Sequence, residues 1–190
     1  MPWTPPVHSL LCPIAGQDGQ LITELTFRPF THGQHMVVIE ETEKDKDDGD
    51  RREELLIKLA TGLTDDQLEQ IKRPDYVSLT ALLYEYVNNT AAHFLGEPKE
   101  ADAPPLLCPV RIMGEERTSL TLQMPALKAT KLMKQQKTPQ AATDFISAHC
   151  TGLMPPDLAL LSVPDWNTLQ VRLNDFLNQP ASFFQSATSK

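Results

Sequence analysis

His32 and His35 stand in an H-x-x-H spacing, which on a helix puts both imidazoles on one face. A zinc site needs three or four protein ligands, and no cysteine, histidine or carboxylate follows this pair in a recognised spacing. Cys150 directly follows His149. Adjacent helical residues point ~100° apart, so the two cannot act together as nucleophile and base, and Cys150 reads as a small hydrophobe. The acidic run offers a near calcium loop: Glu43, Asp45, Asp47 and Glu54 fall at positions 1, 3, 5 and 12. The turn position, however, is Asp48 where a glycine is needed, and the first ligand is Glu rather than Asp. A solvated loop explains the same residues. Phosphate-cradling glycine motifs and a G-x-S-x-G elbow are absent from the sequence. The expectation is therefore a binding protein: no catalytic residues, no metal and no cofactor. An enzyme or regulator with an unrecognised site is the competing class, which a metal or nucleotide retained on purification would reveal.

The charge balance narrows the partners. With 17 basic and 25 acidic residues in 190, the net charge is −8, which argues against an electrostatic grip on nucleic acid or an anionic membrane. The Leu63–His93 segment has the outline of a helix-turn-helix, but its second helix carries only Asp75 and Glu85 as charges and offers nothing to phosphate or guanine edges. No apolar run reaches the ~18–20 residues needed to span a bilayer. The first six residues lack a positive charge and hold three prolines, unlike a secretory signal, and three cysteines imply no disulfide framework. Together these features imply a soluble, cytoplasmic protein.

The elements that would position any binding surface are written twice. Leu11-Cys12-Pro13-Ile14 recurs as Leu107-Cys108-Pro109-Val110, a shift of 96, and Leu25-Thr26-Phe27 recurs as Leu120-Thr121-Leu122. Residues 61–88 match 151–178 at a shift of 90 with nine identities and no gap, including Thr-Gly-Leu and Pro-Asp-aromatic. Shared apolar periodicity supplies leucines but not those polar and turn residues at one fixed separation, so the chain reads as an internal duplication. The change of shift gives the first copy about six extra residues between Pro29 and Thr61, placed in the highly charged Glu40–Asp50 run. The expected division is residues 1–96, a polar and proline-bracketed linker over 97–105, and residues 106–190.

Each copy opens with two strand-like runs around turn residues: Gly16-Gln17-Asp18-Gly19 in the first, Gly114-Glu115-Glu116 in the second. Thr64-Asp65-Asp66-Gln67 caps a short helix that must stop before Pro74. Pro74-Asp75 opens a helix expected to run to about His93, and Pro164-Asp165 one to about Asn178. Their shared stripe at the 3.6 period runs through Tyr76, Leu79, Leu83, Tyr86, Val87 and Phe94, answered by Trp166, Leu169, Leu173, Phe176 and Leu177. The fold class is thus α+β, two similar small units, each a β-hairpin followed by three or four short helices. Off the stripe, Leu82 and Tyr84 align with Arg172 and Asn174. An apolar residue facing a polar counterpart marks a contact made by the first copy alone: packing against the second copy, ordinary exposure, or binding of an external partner. Leu82 and Tyr84 are the candidate partner-binding residues.

The repeated pattern resembles the tail assembly chaperones of Mu-like and related tailed phages and prophages. The resemblance rests on the hairpin closing in Leu25–Pro29 with Thr31–Met36 after it, on Thr-Gly-Leu and its short helix (61–71), and on the Asp-aromatic-x-x-Leu helix (75–94). It covers nearly all of the first copy and, in the second, chiefly 151–177. Family members usually amount to a single copy, so a tandem chain departs from the pattern. The resemblance implies a non-catalytic chaperone in the host cytoplasm that binds the tape measure protein, shields its apolar helices and helps recruit tail tube protein. Two linked heads would raise avidity while each contact stays reversible, and self-association is a further possible partnership. The alternative within this setting is a minor structural component of the tail or neck.

Overall fold

The computed structural model describes residues 3–17, 19–43 and 49–187. The turn residue Asp18 and the calcium-loop positions Asp45, Asp47 and Asp48 lie outside the described residues. The first unit runs β1 (Val7–Ala15), β2 (Leu21–Thr26), α1 (His32–Thr42), α2 (Gly49–Thr61), α3 (Asp65–Leu68), α4 (Arg73–Asn88) and α5 (Ala91–Leu95). The second runs β3 (Pro105–Ile112), β4 (Glu115–Ser119), α6 (Leu127–Met133), α7 (Pro139–Thr151), α8 (Pro155–Leu158), α9 (Val163–Asn178) and α10 (Ala181–Ala187). Each pair of strands forms its own antiparallel two-stranded sheet, and the register of each shifts partway along. The architecture is α+β, two hairpins each followed by helices, as the sequence implies.

The two units make the same hydrogen bonds at equivalent positions. The Leu11 N–H donates to the Asp75 carboxylate at 3.1 Å, and the Leu107 N–H to Asp165 at 2.6 Å. The Phe27 N–H reaches the Pro6 carbonyl and the Leu122 N–H the Asp102 carbonyl, while Arg28 and Gln123 reach the carbonyls of Ala60 and Cys150. Thr-Gly-Leu ends the second long helix of each unit for a physical reason. Thr61 and Thr151 donate back to the carbonyls four residues earlier and accept from Leu63 and Leu153. Gly62 and Gly152 take φ of +76° and +68°, the left-handed turn in which a side chain is costly.

The surplus residues of the first unit lie before Gly49. Helices α2 and α7 each have 13 residues and start 90 apart, whereas α1 has 11 residues against 7 in α6. Two expected boundaries move. The helix opened by Pro74 stops at Asn88, and Phe94 sits on the separate α5, which Thr90 opens. Asn88-Asn89-Thr90 competes with the helix for backbone bonds, and the Asn89 amide donates to the Glu85 carbonyl. In the second hairpin the turn is Met113-Gly114, and Glu115 and Glu116 already belong to β4.

Each unit buries its own helix stripe, Leu79, Leu83 and Tyr86 in the first and Leu169 and Leu173 in the second. The cores nevertheless interlock, because Leu107 and Val163 of the second unit are buried in the core of the first. Only the short stretch from Gly96 to Pro104 separates α5 from β3.

Candidate functional site

Leu82 and Tyr84 both lie on α4, two residues apart, and so point in different directions. Leu82 is half-buried along the edge of the first core. Tyr84 leaves 51% of its surface exposed and donates its hydroxyl to one Glu53 oxygen at 2.8 Å, while Thr80 donates to the other at 3.0 Å. The Glu53 hydrogen bond and charge raise the Tyr84 phenol above its ordinary pKa. Tyr84 therefore pins α2 to α4 through its hydroxyl and keeps part of its ring at the surface.

The most elaborate constellation lies at the seam between the units. At the start of α1, the N–H groups of His32 and Gly33 donate to the carbonyls of Leu161 and Ala159 at 2.7 and 2.9 Å. A Cβ on Gly33 would lie 3.0 Å from both the Ala159 Cβ and its carbonyl oxygen, so any larger residue would have to press that turn back by a few tenths of an ångström. The His32 ring stacks on Trp166 with centroids 3.9 Å apart and planes inclined by 11°. Burial, and secondarily the neighbouring His35, lowers the His32 pKa to about 4. Burial, and then Arg52, lowers that of His35 as well. The H-x-x-H pair thus acts as neutral packing rings: His32 lies against Trp166, and His35 lies 6.1 Å from the Phe30 ring. Farther along the seam the Asn167 amide donates to the carbonyls of Val87 and Asn89, both at 2.9 Å, and the Ala91 N–H donates to Thr168.

A cavity of about 200 Å³ opens beside the His32–Trp166 stack, smaller than the ~300–1,000 Å³ usual for ligand pockets. A wider, open hollow of about 500 Å³ lies between β2 and the Thr61-Gly62-Leu63 turn. Its charged lining is one Glu24 and one Arg28, without cysteine or histidine. Cys150 is fully buried in the second core, and burial pushes its thiol up to about 11. Beside it in sequence, His149 stacks on Phe145. Among the described residues no three His, Cys, Asp or Glu side chains gather to hold a metal ion, and no helix is long and apolar enough to cross a membrane.

The seam escapes a reading for chemical motifs because it is built from backbone groups and amides. One signal was available in the repeat itself: Asn167 and Thr168 stand where the first unit has Val77 and Ser78. Compared with known proteins, residues 104–178 match the family described as phage tail assembly chaperone proteins, E, or 41 or 14. The matched stretch runs from just before β3 to the end of α9, nearly the whole second unit, whereas the sequence resemblance is fullest in the first. No curated protein and no solved structure matches the chain.

Proposed function

We propose that this chain is a non-catalytic tail assembly chaperone of a Mu-like tailed phage, arisen by tandem duplication, which binds the tape measure protein and helps recruit tail tube subunits in the host cytoplasm. The observation that carries this reading is the match of residues 104–178 to the tail assembly chaperone family, spanning hairpin, helices and the Pro-Asp-aromatic helix of one unit. The repeated hydrogen bonds extend that likeness to the other unit, which has the same element order. Physically the task needs no reactive group. It needs apolar surface to engage helices and enough like charge to keep the complex dispersed. The exposed flank of α4 around Leu82 and Tyr84 supplies one such surface in the first unit alone. The test is co-expression with the tape measure protein of the same phage. The expected result is a soluble, co-purifying complex, reduced when Leu82 and Tyr84 become Arg and Asn as in the second unit. A tape measure protein that stays insoluble and never co-purifies overturns the reading, and so does recovery of this chain from purified virions as a stoichiometric component.

A further inference from the structure

The outer edge of the first hairpin is free, and it ends against a guanidinium. The Phe27 N–H bonds to Pro6 and His8 pairs with Leu25, so by strand alternation Glu24 and Thr26 turn their backbone groups away from β1. Among the described residues these two N–H and two C=O groups have no partner. Beside them lies the hollow of about 500 Å³, lined from the Gly16-Gln17 turn to Arg28, with Ile22, Leu25 and Leu63 as its apolar wall. At Arg28 the edge closes, because the Arg28 N–H is already bonded to the Ala60 carbonyl at 2.6 Å. The Arg28 side chain is exposed and packs onto Gly62, where a Cβ would lie 2.5 Å from one guanidinium nitrogen. No carboxylate among the described residues pairs with it.

We propose that this edge captures the C-terminal tail of a partner protein, an extended segment added parallel to β2 with its free carboxylate on the Arg28 guanidinium. The free groups dictate the bonds. The residue two before the tail's end donates its N–H to the Glu24 carbonyl and accepts from the Thr26 N–H. The last residue donates its N–H to the Thr26 carbonyl. The next bond in that series would need the Arg28 N–H, which Ala60 holds, so the added strand has to stop there. A chain that ends at this point places its carboxylate where the unpaired guanidinium stands, whereas a chain that continued would run its backbone into the closed end. The second unit supplies the contrast. There Gln123 makes the same backbone bond to Cys150 but carries no charge, and a Cβ on Gly152 would meet no atom within 4 Å. This inference goes beyond the chaperone reading and does not depend on it.

The experiment titrates the isotope-labelled full chain with the peptide acetyl-Thr-Val-Thr-Val, carboxylate free, up to roughly millimolar concentration and follows backbone amide shifts by NMR. The expected result is a saturable shift at Glu24, Thr26 and Gly62, with Ser119, Thr121 and Gly152 of the second unit unmoved. The same peptide closed as a C-terminal carboxamide should bind about tenfold more weakly, since the charge-assisted pair is lost. Arg28→Gln, which copies the second unit at an exposed position, should weaken the free acid equally while keeping the circular dichroism spectrum and melting temperature. A peptide N-methylated on its last residue, which leaves the protein untouched, should also lose affinity because the Thr26 carbonyl goes unmet. Absence of any shift, equal binding of acid and carboxamide, or shifts that survive Arg28→Gln unchanged overturns the proposal.

Discussion

Asp75 and Asp165 occupy the same place in the two units, each fully buried and each accepting a backbone N–H from within the first strand of its hairpin, yet their environments differ. Burial would raise Asp75, but the Leu11 N–H, His8 at 3.0 Å and the Cys12 N–H outweigh it and hold the carboxyl below its ordinary value. Burial also raises Asp165, and there it prevails over hydrogen bonds from Ser162, Leu107 and Cys108. The difference is an imidazole partner, His8, in the first unit against a hydroxyl, Ser162, in the second. One architecture thus keeps the same buried acid with two sets of partners, which move its pKa in opposite directions.

The contrast between the units is broken most severely at the seam. Trp166→Ala removes a large buried ring and the stack on His32, and should cost about 3–5 kcal/mol in denaturant unfolding. The equivalent Tyr76→Ala, at a half-buried position, should cost well under half as much, and equal losses would show that the seam adds nothing. The next effect separates the acids. Asp75→Asn should cost about 2 kcal/mol at neutral pH, since it discards a charge-assisted bond to His8. Asp165→Asn should cost about half of that. A raised folded pKa means that the folded unit holds the Asp165 proton more tightly. Stability therefore falls as pH climbs from the ordinary carboxylate value through the raised one, and the substitution removes that loss. Asp75 behaves oppositely: its contribution is present above the ordinary value and disappears as acid carries the pH below it. The smallest effect at neutral pH is that of His32→Phe, which keeps a ring on Trp166. His32 has its folded pKa lowered from 6.5 to about 4, so the unfolded chain binds its proton first and stability declines as pH drops through that window. The variant should leave unfolding at pH 7 nearly unchanged and flatten the decline between pH 6.5 and 4. An unaltered slope would place the pH sensitivity elsewhere.

Much of this was legible in residue order. Thr-Gly-Leu marks a helix end because glycine takes the left-handed conformation without a Cβ penalty, and Pro-Asp marks a helix start because proline fits the first turn. The hairpins and the two-unit plan follow from strand runs repeated around turn residues. What stayed hidden is context. Leu11 and Leu107 are the same residue in the same motif, and only the neighbouring unit decides that one is exposed and the other buried. The break at Asn88 carries no proline or glycine, so the apolar period runs on through it to Phe94. Leu82 and Tyr84 were legible as asymmetric positions, but the Glu53 carboxylate that engages the Tyr84 hydroxyl comes from a helix some 30 residues earlier. The acid Asp75 was legible as a helix starter, not as the anchor of a strand.

The stretch between Gly96 and Pro104 has a thermodynamic consequence. Because it tethers the units at close range, the seam forms at an effective concentration on the order of millimolar and need not be strong in its own right. The join between the units is therefore settled as the chain folds, whatever its concentration.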